Sequence, residues 1–512
     1  MSWRTRYVGY AIPAPAPLHY VVAMGGDDGN AGTIDDPFAT IMHAMQVASY
    51  GHRVYVRAGT YYEQLVNSHR GVWVQGYPGE TAVIDGSMTV TGWTLVSGAV
   101  WTATFTRPAA MTADGYTVQP CSMASEPDTY PDSGDRRAAL YVDNTPDSSH
   151  WLKPVTPTAG DPANLGAGEF CTDAVPEPVG SPYSGQACQI WCRLADGSDQ
   201  NGHTMRVPAY AYGAYLGNDT NDIVLKDLSF RLALSGVHGV AGANYVTCHN
   251  LDISLLKLRG IDIGDYGATG WAVVGGDIHD TEYEGVHIEA SDSLIDGLIV
   301  RDTIARWSLY GAMGMNLLGD RVRARRCVIS GIIKSLTGVG GFGIMGEVSA
   351  GHDCDYAVVE QCYVHDCENS GIYMTGNHPT VINNIVSHCV GGIQFSKSGG
   401  MVTPTGGLMA YDTVHGDSTF GYAINSNVAN ATYRNNISHG NGNDLWDGGT
   451  ATTKDHYLHN ATDPLFVDEA AHDFRLQAGS PALAAGLAIA AVATDYAGLA
   501  LRPDPPAIGA YE

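Results

Sequence analysis

The chain of 512 residues has 53 acidic and 27 basic side chains and a formal net charge of -26. Such acidity argues against nucleic acid as a partner, because phosphate binding needs clustered Lys and Arg. The sequence indicates no cofactor with certainty, but an anionic glycan would need Ca²⁺ or a local basic patch, so Ca²⁺ stays open. The longest apolar run, residues 482–493, is too short to span a bilayer, and we expect no membrane insertion.

Residues 1–18 form a Pro- and Ala-rich arm in which Pro13, Pro15 and Pro17 alternate with other residues. Proline fixes φ and favours extended polyproline geometry, which leaves little to pack. Either a disordered leader or an arm that attaches the chain to a larger assembly fits this composition. We expect no conventional secretory signal here, because no apolar core with a cleavage site follows the first basic residues.

Residues 19–98 contain a strand predicted at Tyr20–Ala23 and a short helix predicted at Ile41–Ala48. Between them, Asp27 and Asp28 precede a Gly-Asn pair. Aspartate in that setting typically forms turns, and a cation site is the alternative.

Residues 99–217 are dense in Pro, Ser, Asp and Tyr, and short strands are readable only at 139–142 and 189–194. We interpret this region as a β-rich insertion that packs on the flank of the fold.

Residues 218–450 repeat a unit of short apolar strands, the last of which begins with a glycine. These glycines recur every 21 to 29 residues, at Gly260, Gly285, Gly314, Gly343, Gly371, Gly392 and Gly421. A fixed period in this range is the signature of a solenoid. Alternation within the strands sends successive side chains inward and outward, and no helical period competes with it. The sequence therefore predicts coils of three short strands stacked on one another.

Residues 451–512 carry short motifs, among them Asp463-Pro464-Leu465-Phe466 and Ile508-Gly509-Ala510-Tyr511. Together with residues 20–63 and the repeats, they resemble right-handed parallel β-helix proteins of the pectate-lyase-like superfamily, which includes polysaccharide lyases and phage tailspikes. The resemblance implies an all-β solenoid with an N-terminal helical cap, a β-rich insertion and a closing segment over the last coil. It also implies a ladder of stacked turn amides, and the candidates are Asn250, Asp296, Asn384, Asp412 and Asn436.

Aligning the glycine-led strands places acidic and polar residues in columns on the outer face of the solenoid. Glu289 and Glu347 share a column two coils apart, so their backbones are expected to lie roughly 9–10 Å from each other. Inverting glycosidases hold their carboxyl groups ~6.5–9.5 Å apart. We therefore regard Glu289 and Glu347 as candidate catalytic groups, with His287 and Asp262 on the same face and Lys397 as a candidate base or charge neutraliser.

Aromatic and amide side chains accompany these acids, and they are typical of sugar-binding surfaces. The candidate substrate-binding residues are Tyr283, Trp307, Tyr310, Tyr373 and Gln394. A second set of recurring histidines could suggest a metal site, but their shifting offsets favour turn histidines, and we predict no metal site. This set comprises His279, His365, His388, His415 and His439.

The favoured function is binding, and potentially cleavage, of a polysaccharide along the solenoid face. The Pro-rich arm and the absence of a visible signal favour a phage spike or fibre that forms a homotrimer and joins other virion proteins through residues 1–18. Its expected location is then the virion, or the medium after lysis. A free bacterial polysaccharide lyase or glycoside hydrolase and a non-catalytic structural β-helix are the alternatives.

Overall fold

The computed structural model describes three long parallel sheets that wind into a solenoid. Described are residues 19–67, 70–108, 111–113, 116–118, 139–143, 152–154, 165–172, 187–217, 220–264, 267–305, 311–334, 338, 340–348, 353–397, 404–490, 492–501 and 505–511. Within these residues the sheets contain 13, 11 and 11 strands, and each strand pairs in parallel with the equivalent strand of the next coil. The predicted all-β right-handed parallel β-helix is confirmed.

The strands of each sheet follow in stacking order. Sheet I contains His19–Val22, Arg53–Val56, Trp73–Gly76, Val224–Lys226, Thr247–His249, Ala272–Val274, Leu294–Asp296, Arg323–Arg325, Val358–Glu360, Thr380–Ile382, Thr405–Ala410, Ala429–Arg434 and Thr453–Asp455. Sheet II contains Gly59–Tyr61, Ala82–Asp85, Ser229–Arg231, Asp252–Leu256, Asp277–Thr281, Ile299–Arg301, Val328–Ile332, Tyr363–Cys367, Ile385–Ser387, Thr413–His415 and Ile437–His439. Sheet III contains Leu65–Asn67, Tyr212–Leu216, Ser235–Gly239, Arg259–Ile263, Glu284–Ile288, Met313–Leu317, Phe342–Gly346, Ser370–Met374, Gly391–Phe395, Phe420–Ile424 and Leu445–Asp447.

The recurring glycines of sheet III are required because successive coils approach closely there. A Cβ added to Gly285 would lie 2.6 Å from the carbonyl oxygen of Gly314, and one added to Gly314 would lie 2.5 Å from that of Gly343. Neither distance is compatible with a real Cβ, so the period in the sequence records a packing requirement of the coil. The strands begin one residue before the glycine in several coils, which brings Arg259 and Glu284 onto the sheet.

Side chains that point inward form one continuous apolar core along the solenoid. The polar side chains that form the ladder inside it are amides and an acid, which hydrogen-bond backbone groups of neighbouring coils. The Asn384 side chain accepts from the Cys362 N–H at 2.9 Å and donates to the Val359 carbonyl at 3.0 Å. Asp412 and Asn436 continue this ladder, with the Asp412 N–H donating to Asn436 Oδ1 at 2.9 Å.

The ladder is shorter than the sequence predicts, because two of its five candidates lie elsewhere. Asn250 is exposed, and its side chain donates to Asp227 Oδ1 at 2.8 Å. Asp296 pairs with the guanidinium groups of Arg325 and Arg326 instead. The strand register explains the difference, because Asp296 aligns with Ile382 and Asn250 with Asn383, two and one positions before the ladder position of Asn384.

The N-terminal cap is an α-helix at Ile41–Val47 whose apolar face closes the first coils. Thr40 caps it by accepting a hydrogen bond from the His43 N–H, and Glu63 accepts from the N–H groups of residues 41 and 42 at 3.0 Å. These contacts satisfy amides that a helix start leaves without partners. Asp28 accepts from the Thr40 N–H at 2.9 Å and Asp27 from the Gly29 N–H at 2.8 Å, so both act as loop residues.

The insertion leaves the solenoid after the sheet II strand Ala82–Asp85 and rejoins it at the sheet III strand Tyr212–Leu216. Its strands are Ser87–Thr89, Thr94–Ser97, Val100–Thr106, Met111–Ala113, Tyr116–Val118, Tyr141–Val142, Lys153–Pro154, Glu169–Thr172, Ala187–Arg193 and Met205–Pro208, with a 3₁₀ turn at Gln200–Gly202. They form largely antiparallel sheets around a small apolar core of their own. Arg206 and Arg231 both approach the buried Asp85, which ties the insertion to the second coil.

The closing segment, residues 451–512, contains an antiparallel hairpin, Phe466–Asp468 and Asp473–Leu476, that lies against the side of sheet II rather than over the last coil. Phe466 and Phe474 are buried against Ile385 and Ile437 of sheet II. Within the described residues each helix is too short or too polar to traverse a bilayer.

The interpretation of five histidines as turn residues is wrong for four of them. They lie on sheet II strands, His279, His365, His415 and His439. His388 alone of the five follows its strand, in a left-handed turn with φ of 55°. The rings of these histidines have different neighbours: His415 lies 5.9 Å from His439 of the next coil, His365 stacks on Tyr363 of its own strand, and His279 pairs with carboxylates.

Candidate functional site

The strand register of sheet III places the outward polar residues in one column. From coil to coil it joins Asp262, His287, Asn316, Met345, Tyr373 and Gln394. Glu289 and Glu347 follow the ends of their strands, in the adjacent column. The structure thus brings together Asp262, His287, Glu289 and Glu347 on one face.

This face is not the open strip that the sequence suggests. Asp262 and His287 are each 6% exposed and Asn316 is 4% exposed, although all three point away from the apolar core. They are covered because charged side chains of neighbouring coils pack on one another. Glu289 and Glu347 are less completely buried, although the Glu289 side chain is only 11% exposed against 8% for that of His287.

Arg259 lies at the centre of the cluster, between two carboxylates. It donates to Asp262 Oδ1 at 2.9 Å and to Glu284 Oε2 at 2.6 Å. Burial alone would raise the pKa of Asp262, but Arg259 and His238 outweigh it and hold that pKa well below its usual value. Burial also acts on Glu284, and the charges of Arg259 and His287 lower its pKa to about 2. Both carboxylates are therefore ionised.

His287 lies between two glutamates on its own strand. Its Nε2 is 3.2 Å from Glu289 Oε1. Its Nδ1 is 2.8 Å from Glu284 Oε2, which makes the two side chains an ion pair. Burial and Arg259 lower the pKa of His287, but the two carboxylates outweigh them and raise it to about 9. His287 is consequently a cation at neutral pH, not a free base.

Asn316 connects Glu284 to Glu347 in the next coil. Its amide donates to Glu284 Oε1 at 3.0 Å and also hydrogen-bonds Glu347. Burial, followed by the negative charge of Glu284, raises the pKa of Glu347. The cluster thus holds one carboxyl group whose pKa is raised beside two carboxylates whose pKa values are lowered. Such a divergence of environments is typical of acid–base sites.

Three residues that the sequence analysis missed extend the cluster towards the N-terminus. His238 Nδ1 is 3.0 Å from Asp262 Oδ2. Its ring stacks on Tyr212 with 4.3 Å between centroids and an interplanar angle of 12°, and Tyr215 lies 5.7 Å away. Their strands precede the first marker glycine, Gly260. The aligned glycine at Gly236 was the available signal, since His238 stands two places after it as His287 does after Gly285.

The predicted substrate-binding residues separate into different places. Tyr283 is 8% exposed, and its ring lies 5.2 Å from the Arg259 guanidinium, so it covers the cluster. Tyr373 and Gln394 are half-buried, one and two coils beyond Met345. Trp307 and Tyr310 lie outside the described residues. Lys397 follows the strand that carries Gln394, two coils from Glu347, or roughly 9–10 Å along the stack.

A second buried ion pair lies next to the cluster. Lys257 and Glu282 are 6% and 1% exposed and contact each other directly through Nζ and Oε2. They occupy equivalent positions of adjacent coils, two residues before Arg259 and Glu284. Both ion pairs therefore join the same two adjacent coils, with the cation in one coil and the acid in the next.

Comparison with known proteins supports the fold and leaves the activity open. No protein-family description matches the chain. The uncharacterized protein YwoF of Bacillus subtilis (strain 168) is 39% identical over 70 residues, which is 13% of this chain and 15% of that protein. The chain therefore matches only a small part, 15%, of the length of that relative.

Two solved structures resemble the chain along most of its length. Pectate lyase Pel9A is 13% identical, with a TM-score of 0.50, over 97% of this chain and 96% of that chain. XylC, solved in complex with xylose, is 14% identical, with a TM-score of 0.50, over 83% of this chain and 70% of that chain. At such identities the likeness concerns the backbone. With the three stacked sheets, it establishes that the chain is a parallel β-helix of the pectate-lyase-like fold.

Proposed function

We propose that the chain binds a polysaccharide across the outward face of sheet III and cleaves it, with Glu347 as the general acid and Glu289 as the second carboxyl group. The observation that carries this proposal is the raised pKa of Glu347 within a cluster whose other buried acids are ionised. The fold shared with a pectate lyase and with a xylose-bound protein supports a carbohydrate as the ligand.

We assign two roles to the members of the cluster according to the solvent exposure of their side chains. Glu289 and Glu347 are partly exposed, Glu289 by only 11% of its side chain, whereas Asp262 and His287 are buried. We therefore assign Asp262 and His287 to positioning: Arg259 fixes the first, and the second holds Glu289 through its Nε2. In this arrangement Glu347 protonates the glycosidic oxygen and Glu289 activates a water molecule. The two-coil separation of their backbones, roughly 9–10 Å, leaves room for that water.

The charge of the cluster favours hydrolysis of a neutral glycan over elimination from a uronate. Arg259 and His287 are engaged by carboxylates of the same cluster. A uronate would therefore bring another negative charge next to acids that outnumber these cations. Lys397 is two coils away, so a lyase mechanism would need substrate to bridge that distance.

The half-buried Tyr373 and Gln394 extend the same column and are proposed to contact neighbouring sugar units. The Tyr373 ring lies 5.1 Å from that of Phe342, and Gln394 accepts a hydrogen bond from the Ser370 hydroxyl at 3.1 Å. Both side chains are thus held in place before a ligand arrives, as a binding surface requires. On the opposite side of the cluster, the stacked pair of Tyr212 and His238 could serve in the same way.

The test is incubation with a panel of neutral and uronate polysaccharides. We expect new reducing ends without the ultraviolet absorbance of unsaturated products. Glu347→Gln should lower kcat by roughly 10²–10⁴-fold, the usual contribution of a general acid. Glu368→Gln, at an exposed glutamate that follows a sheet II strand, is the matched control and should retain activity. Full activity in Glu347→Gln, or unsaturated products, would refute the mechanism.

A role as a homotrimeric phage spike is a finer proposal that rests on the Pro-rich arm of residues 1–18. Light scattering of the purified chain should give the mass of a trimer. Deletion of residues 1–18 should leave glycan binding intact and abolish incorporation into particles. A monomer that cleaves glycans would instead favour a free bacterial enzyme, and a chain without glycan affinity would favour a structural β-helix.

A further inference from the structure

The closing segment meets sheet II at a cluster of unlike ligand groups, remote from the proposed glycan site. One nitrogen of His439 and one carboxylate oxygen each of Asp463 and Glu469 lie within 4.8 Å of one another. His439 ends the last strand of sheet II, whereas both acids belong to the closing segment. We propose that these three side chains bind a divalent transition metal ion, with zinc favoured, that fastens the closing segment to the last coils.

Glu469 is already aimed at two neighbouring histidines. Its Oε1 lies 3.6 Å from His439 Nε2, and its Oε2 lies 3.1 Å from His415 Nε2. His415 and His439 are register partners on adjacent strands, so their spacing is fixed by the sheet. His415 would therefore hold Oε2 of Glu469 while Oε1 of the same carboxylate binds the metal. Such partners behind a ligand typically orient it.

Asp463 is oriented from the other side. Its Oδ1 accepts a hydrogen bond from the Leu465 N–H at 2.8 Å, which fixes the carboxylate within a turn. The side chain is exposed, so an ion has a direct path from solvent. Zinc–ligand bonds of ~2.0–2.2 Å require the ligand atoms to approach by about an ångström. The two partly exposed carboxylates can make that movement without disturbing the sheet.

The donor set distinguishes the ion. One imidazole and two carboxylates suit zinc and related transition metals, whereas calcium prefers oxygen ligands throughout. Three protein ligands leave further positions for water. The contacts around the cluster suggest a role in stability, since the His415 ring lies 5.1 Å from Phe474 and the His439 ring 6.2 Å from Phe466. A metal would reinforce a hairpin that is already docked.

The experiment uses the full-length chain without an affinity tag, dialysed against EDTA and then against buffer. We expect ZnCl₂ to raise Tm by about 2 °C or more, with a single site by titration calorimetry. CaCl₂ and MgCl₂ at the same concentration should produce no comparable shift. Asp463→Asn and His439→Gln should abolish the zinc-dependent shift, and His415→Gln should weaken zinc binding roughly 10–100-fold.

His456→Gln is the matched control, because His456 is 41% exposed in its side chain and belongs to the same segment without joining the cluster. It should keep the zinc response of the wild type. Because Asp463→Asn is isosteric and exposed, it tests the proposal even if His439→Gln fails to fold. A Tm that does not respond to zinc, or an equal response in Asp463→Asn, would overturn the proposal. Neither result depends on glycan cleavage.

Discussion

Two stacks of polar side chains run along this solenoid, and their buried polar groups find different partners. Inside, Asn384, Asp412 and Asn436 form a ladder in which successive side chains bond the backbone of the neighbouring coil. Outside, the column of Asp262, His287 and Asn316 is nearly as buried, but its groups contact the charged side chains of Arg259 and Glu284. The inner stack bonds mainly the backbone, with one side-chain contact from Asn384 to Asp412, whereas the outer stack bonds other side chains.

The difference explains which stack can carry chemistry. An amide that bonds backbone groups has its donors and acceptors committed to the coil, so it stabilises and does little else. A column of alternating charges leaves groups at its edge whose protonation depends on their neighbours. Glu347 is such a group, since its pKa is raised by burial and by Glu284. Substitutions in the two stacks should therefore have different consequences.

The largest effect is expected where the outer stack loses its central cation. Arg259→Met leaves Asp262 and Glu284 buried without their shared partner, and should lower the free energy of unfolding by about 3–5 kcal/mol. The matched surface pair, Arg321 with Asp292, is 44% exposed on both sides, so Arg321→Gln should cost less than about 1 kcal/mol. Urea denaturation measures both. Similar losses in the two variants would contradict the central role of Arg259.

The second prediction concerns pH. The folded pKa of His287, about 9, exceeds the ordinary value of 6.5, so its stabilising contribution is complete below pH 6.5 and is lost as the pH rises through 9. The wild type should therefore lose about 3 kcal/mol more than His287→Gln in unfolding free energy between pH 6 and pH 10. His279, whose pKa is also raised to about 9, remains in both proteins and cancels in the comparison. Parallel pH profiles would show that His287 is not held as a cation.

The smallest effect is expected in the inner stack. Asn384→Ala removes the acceptor of the Cys362 N–H and the donor to the Val359 carbonyl, and should cost about 1–3 kcal/mol at any neutral pH. Asn250→Ala, at an exposed position that the sequence analysis grouped with Asn384, should change stability by less than about 0.5 kcal/mol. Glycan cleavage should be unaffected in both variants. Equal costs would mean that the ladder contributes no more than a surface amide.

The sequence by itself determined the coils and the alignment of the outward column. These features depend on local alternation and on a glycine wherever a Cβ would meet the next coil, as at Gly285. Both constraints act within one coil or between equivalent positions of two, so a one-dimensional pattern records them. Asp262, His287, Glu289 and Glu347 were therefore found together from their spacing alone.

Only the tertiary structure decided how those side chains are paired and which of them are accessible. Arg259 and Glu284 precede the marker glycines and were not recognised as strand residues, yet their charges fix the protonation of their neighbours. The same holds for Glu469, whose contact with His415 spans the chain between a coil and the closing segment. Burial and electrostatic coupling depend on distances between residues that are remote in sequence. Spacing along the chain carries no record of those distances.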